Sequence, residues 1–343
     1  MIKAIAVSIV LAVFGLSQIE PMPTDIEQID FNVPVTPVSK SDAYDLGRLA
    51  FHLPSSSFGS CASCHAVAKG GYSHERLPKG NRGHFDIILK ELDPKSVHLV
   101  DDPAERTPPT LNNLFAVNGL NDGALGLAGI NSNIDATKLI QFNKHNAKGR
   151  DGISTQVSAG FDAHNTAPIV EMMRSSAFCN DLAMLAFGSH YVTEDVIISA
   201  IAVYEKAQLP TESNFQKYLR GEAPLKHFEG YEIYKEKGCA NCHGESGEGH
   251  KARGLSFAKD AGVGFFRVTK DSADLNFYKA PQLYNLKDAP GLTHKAQKMT
   301  IRKAVLSHTD VTRKEATQLQ RFIKNDLYDP NLKRYITKNP YKN

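Results

Sequence analysis

The sequence predicts a mainly α-helical protein of two tandem domains with long loops between the helices. Three observations lead there. The pentapeptide "CASCH" at 61–65 returns as "CANCH" at 239–243. Each copy follows a segment with helical periodicity, and each is followed by a Pro-x-Leu-x-Asn stretch, "PTLNNL" at 109–114 and "PQLYNL" at 281–286. The order helix, CxxCH, Pro-x-Leu-x-Asn, helix thus recurs after about 175 residues, an internal duplication.

C-x-x-C-H is the attachment signature of c-type haem. Two thiols add across the porphyrin vinyl groups, and the adjacent histidine becomes an axial ligand of the iron. A C-x-x-C pair alone would also suit a redox dithiol, and both pairs together would suit a Cys₄ zinc centre with incidental histidines. Two copies that use four of the five cysteines and both end in histidine favour two covalently bound haems, one on Cys61, Cys64 and His65, the other on Cys239, Cys242 and His243. Both halves are therefore expected to be cytochrome c-like haem domains, in which haem replaces side chains as the core and tolerates long Gly-, Asn- and Pro-rich loops.

The chain opens with Lys3 and an apolar run from Ala4 to Leu16, about the length of a signal-peptide core and short of the ~20 residues that span a bilayer. Gly15 and Ser17 supply small residues for cleavage before Gln18, so residues 1–17 are expected to be a signal peptide and the mature protein periplasmic. About 325 residues then remain, enough for two domains of ordinary size.

Helices follow in order. "SKSDAYDLGRLAF" (39–51) has a Ser or Asp cap and apolar residues at Tyr44, Leu46, Leu49 and Ala50. "TEDVIISAIAVYEKAQL" (193–209) opens on Thr193, Glu194 and Asp195 and keeps a helical stripe until Pro210 stops it. Pro210 to Pro224 is expected to link an N-terminal domain (18–210) to a C-terminal one (211–343). "HFEGYEIYKEKG" (227–238) leads into the second motif, and "TRKEATQLQRFIKNDL" (312–327) closes that domain. The formal charge is +3 and the pI about 8.4, with Lys and Arg dispersed rather than gathered in a stripe, which excludes a nucleic-acid binder; a weakly basic face suits an acidic redox partner.

The stretches "LGRLAFHLPSSSFGSCASCH", "RTPPTLNNLFAVNGLNDG", "APIVEM", "AIAVYEKAQLPTESNFQKYLRG", "EGYEIYKEKGCANCH", "FFRVTKDSADLNFYKAPQLYNL" and "TIRKAV" resemble the bacterial di-haem cytochrome c peroxidases and their MauG-like relatives over roughly residues 40 to 325. The resemblance implies one haem that reduces hydrogen peroxide and one that stores or relays an electron from a small cytochrome c or cupredoxin. It implies His65 and His243 as proximal ligands. It puts the distal ligand of the second haem at the end of "TIRKAVLSH", where peroxidases usually carry Met and MauG-like proteins Tyr; here His308 stands there, with His294 second and Met299 a further alternative. Imidazole favours ferric iron more than a thioether does, so a lower potential follows.

Over the first haem the resemblance implies an acid/base glutamate, here Glu171 of "PIVEMM", with Gln156 as a second polar group. Glu171 would take a proton from the proximal peroxide oxygen and return it to the distal one, so that water leaves rather than hydroxide. In resting relatives a loop histidine plugs this site; the loop from Ala66 to Glu105 offers His74, His84 and His98, of which His98 has the family-like position before "RTPPT".

Two departures are plain. Asn121-Asp122-Gly123 replaces the family's Trp-Asp-Gly, and the chain has no tryptophan, so an indole conduit between haems is ruled out and Tyr284 or Phe115 is left to substitute. Thr107 follows Arg106 where the family has a calcium-binding Asn, which leaves Ca²⁺ to backbone carbonyls. The stretch from Asn121 to Thr166 is longer than its family equivalent and is expected to reshape the substrate entrance. Three functions stay open: a peroxidase, a MauG-like oxidase acting on a protein or organic substrate, and a non-catalytic electron carrier. A homodimer is compatible with each.

Overall fold

The computed structural model describes residues 19–53, 60–65, 152–157, 166–249, 253–255, 271–275, 277–289, 291–292 and 298–332. Its N-terminal half contains α1 (Lys40–His52), α2 (Cys61–Cys64), α3 (Gly152–Val157), α4 (Ala167–Arg174), α5 (Ala177–Phe187) and α6 (Glu194–Lys206). The Ser39 hydroxyl caps α1 by accepting the Asp42 N–H, and Ala43, Leu46, Gly47, Ala50 and Phe51 form its buried stripe at helical spacing. Thr193 caps α6, whose residues from Val196 to Lys206 are all buried, so this is the central helix of the domain. It ends three residues short of the predicted Leu209: residues before proline are driven out of the helical region, and the Gln208 side-chain amide turns back onto the Tyr204 carbonyl.

The C-terminal half contains α7 (Asn214–Leu219), α8 (Phe228–Glu236), α9 (Ala240–His243), α10 (Ile301–His308) and α11 (Arg313–Arg321), which runs into a π turn at Phe322–Asp326. A short antiparallel pair, β1 (Arg253–Leu255) with β2 (Phe277–Lys279), is the sheet among the described residues. Thr312 and Glu315 form a capping box at the start of α11. The Glu315 carboxylate is held down to about 2, first by the Thr312 backbone N–H and then by Lys237. Phe215, Tyr231, Tyr234 and Phe322 stack edge-on or tilted at centroid distances of 5.0 to 5.7 Å, the favoured arrangement for aromatic quadrupoles, and build this domain's core.

The duplication is visible in the packing. In each domain the helix before the haem motif crosses the domain's last helix at a glycine. A Cβ on Gly47 of α1 would run into the Ala200 carbonyl of α6, and one on Gly230 of α8 would run into the Gln318 carbonyl of α11 and meet the Phe322 Cβ at 2.7 Å. The stretch from 210 to 224, which the sequence offers as a linker, contains α7 and buries Ser213, Phe215 and Gln216 completely. Leu332, near the C-terminus, is buried in the N-terminal domain's core. Among the described residues no helix is long and apolar enough to cross a membrane; the predicted signal peptide lies outside them.

Candidate haem site

The second haem motif is one helical turn. The His243 N–H donates to the Cys239 carbonyl (2.9 Å), so Cys239, Cys242 and His243, at i, i+3 and i+4, project from one side. The first motif makes the same bond, His65 N–H to Cys61 carbonyl at 2.9 Å, with Cys61 against the N-terminal core and Cys64 in the same turn. At the second motif the Tyr234 hydroxyl donates to the Gly244 carbonyl and pins the end of the turn. Cys239 packs against the C-terminal core, and burial pushes its thiol up.

His243 places Nδ1 2.7 Å from the Pro281 carbonyl. A carbonyl only accepts, so Nδ1 carries the proton and Nε2 is the basic nitrogen. Burial lowers the His243 pKa, which keeps the ring neutral. His308, the last residue of α10, treats its own helix in the same way, with Nδ1 2.7 Å from the Ala304 carbonyl. The two rings meet edge-on, with centroids 6.3 Å apart and planes at 65°. These residues therefore fit a haem iron: two thiols, a carbonyl-oriented imidazole and a second imidazole opposite it.

Glu171 lies on α4, which opens with Pro168 in its first turn and buries Ile169, Val170 and Met173; Glu171 is on the exposed face. Gln156 belongs to α3. His74, His84, His98, His294, Arg106, Thr107, Phe115 and Asn121 to Gly123 lie outside the described residues, and Met299 is half-buried. Tyr284 is wholly buried in the C-terminal core, its hydroxyl accepting from the Gln216 amide (2.9 Å), and burial raises its pKa. Sequence reasoning missed the Pro281 carbonyl and Tyr234. The repeat of Pro-x-Leu-x-Asn marked the place, but a backbone acceptor has no side chain by which to be recognised.

Two copies of a thiol–thiol–histidine turn on a helical scaffold, one of them facing a second imidazole, define a di-haem protein of the cytochrome c type. The chain belongs to the di-haem cytochrome c peroxidase family, whose model matches residues 41–224; a cytochrome c model matches 228–326. It is 25% identical over 293 residues to the cytochrome c551 peroxidase of Nitrosomonas europaea, covering 80% of this chain and 76% of that one. It is 24% identical over 294 residues to the cytochrome c peroxidase Ccp of Escherichia coli K12, covering 80% of this chain and 55% of that longer protein. Its fold is similar to the crystal structure of a MauG-like protein associated with microbial copper homeostasis (TM-score 0.60, 18% identity, 92% and 99% of the two chains). A variant of the diheme peroxidase BthA from Burkholderia thailandensis is also similar (TM-score 0.58, 14% identity, 92% and 90%). The chain is thus an oxidoreductase of the cytochrome c peroxidase type, with haem cofactors.

Proposed function

We propose that this protein is a periplasmic di-haem peroxidase that reduces hydrogen peroxide to water with electrons from a small cytochrome c or cupredoxin, its haems attached through Cys61 and Cys64 and through Cys239 and Cys242. The facing imidazoles carry the proposal. With their ring centroids 6.3 Å apart, His243 and His308 would both hold the C-terminal haem, which would suit it to electron storage and leave peroxide to the N-terminal one. The names of both relatives, cytochrome c peroxidases, agree. When bound, haem supplies the electron transfers and the coordination position that peroxide needs. The chain would supply the rest: His65 would hold the N-terminal haem, Glu171 would carry a proton between the two peroxide oxygens, and its exposure on α4 keeps it in exchange with solvent. Gln156 is the second polar group there, His98 the resting plug, and backbone carbonyls near Thr107 the remaining donors for Ca²⁺.

The test is an electronic and EPR spectrum of the holoprotein, oxidised and half-reduced, before and after peroxide. A high-spin ferric signal with peroxide turnover is expected, and Glu171→Gln should keep the spectrum while losing ~10² to 10⁴-fold in turnover. Wild-type turnover in that variant removes Glu171 from the mechanism. His308 itself favours a second reading, because imidazole where ordinary peroxidases place a thioether lowers the potential. Two unchanging low-spin signals without turnover would establish the electron carrier, and oxidation of a partner without peroxide turnover by donor would establish the MauG-like oxidase.

A further inference from the structure

The second Pro-x-Leu-x-Asn stretch does more than supply the carbonyl of its proline. Pro281 is itself exposed, but its peptide with Gln282 lies close against Gly249, where a Cβ would stand 2.7 Å from the Pro281 carbonyl carbon. The residues that follow it are anchored by hydrogen bonds as well. The Leu283 N–H donates to the Gly247 carbonyl (2.8 Å), in the loop after the haem motif, and the Tyr284 hydroxyl accepts from Gln216. Asn285 is the most heavily engaged. It is wholly buried in left-handed backbone at φ 55°; its Oδ1 accepts the Asp329 N–H (2.9 Å), its Nδ2 donates to the Asp329 carbonyl (3.1 Å), and its own N–H donates to the Leu327 carbonyl (3.1 Å). The Asp329 carboxylate continues the chain: one oxygen accepts the Glu212 N–H (2.9 Å) between the domains, the other the N–H groups of Asn331 and Leu332 (2.7 and 3.1 Å).

We infer that Asn285 is a positioning residue for the C-terminal haem: it fixes the Pro281 carbonyl on His243 Nδ1, and through Asp329 it joins the proximal ligand to the inter-domain segment. The inference rests on the reading of His243 as an axial ligand. An Nδ1–H given to a well-placed carbonyl makes Nε2 a stronger donor, which stabilises ferric iron and lowers the potential. Releasing Asn285 lets the carbonyl drift, and the potential rises.

Redox titration of the holoprotein tests this. Asn285→Gly keeps the left-handed backbone without strain and removes both side-chain bonds. It should retain both haems, raise the midpoint of the C-terminal haem so that the reduced-to-oxidised ratio at the wild-type midpoint increases several-fold, and speed solvent exchange of the His243 Nδ1 proton in NMR. Gln216→Met, which cuts the neighbouring anchor on Tyr284, should shift the midpoint in the same direction by less, and serves if Asn285→Gly does not accumulate. Asn214→Ala removes a bond to the buried Asp326 (2.7 Å) without touching 281–285 and should leave the midpoint unchanged. An unmoved midpoint in Asn285→Gly, or in Gln216→Met where that variant stands in, overturns the inference. So does an equal shift in Asn214→Ala, which would make the effect general loosening. A protein with no haem at Cys239 and Cys242, or without histidine ligation in its spectrum, fails the underlying reading instead.

Discussion

At the scale of the residue, the proposed function turns on how the two imidazoles at the second motif are held. His243 and His308 both commit Nδ1 to a backbone carbonyl, and their ring centroids stand 6.3 Å apart. One substitution addresses the pair. His308→Met should keep both haems attached, because attachment depends on Cys61, Cys64, Cys239 and Cys242. It should also raise the potential of the C-terminal haem, because a thioether favours ferrous iron. An unchanged redox titration would move the assignment to His294. The histidine and cysteines were legible in the sequence because their spacing is a chemical requirement. The Pro281 carbonyl was not, because it belongs to the backbone of a residue 38 positions away.

At the scale of the element, each domain rests on one close helix crossing. Helix–helix contacts normally keep axes 8–10 Å apart by the side chains between them, and glycine removes that spacer. Gly47→Ala should destabilise the N-terminal domain and Gly230→Ala the C-terminal one, each by about 1–3 kcal/mol or more, since the obstructing atoms are backbone carbonyls that cannot rotate away. Thermal melts of each variant check this, and a melt matching wild type would show that the helices can part at little cost. Helices α1 and α6 were legible from caps and apolar periodicity, and α8 and α11 from their helical pattern beside the second motif. The crossing glycines were not, because Gly in a helical pattern gives no sign of what approaches it.

At the scale of the whole molecule, the two cores are tied by the tail of the chain. Asp326 is fully buried and receives Asn214, the Lys226 N–H and His227, while Leu332 enters the other domain's core. Leu332→Ala should therefore cost about 2–5 kcal/mol, as a buried leucine does, and lower the melting of the N-terminal domain although it lies near the opposite end of the chain. Calorimetry resolving the two domains would read this directly. A change confined to the C-terminal transition would contradict it.

The sequence by itself determined the chemistry and its duplication: two CxxCH turns, the helices that present them, and the family they belong to. These are local, encoded in spacings of three and four residues and in caps adjacent to the elements they cap. Only the tertiary structure decided what surrounds the second haem motif. It brought the ring of His308, already singled out by its register, against that of His243, put the Pro281 carbonyl on Nδ1, and turned the apparent linker into a segment held by Asp326 and Asp329. Each of these joins residues tens to over a hundred positions apart through backbone atoms or buried side chains, and such pairings depend on how the helices pack rather than on any periodicity the chain displays.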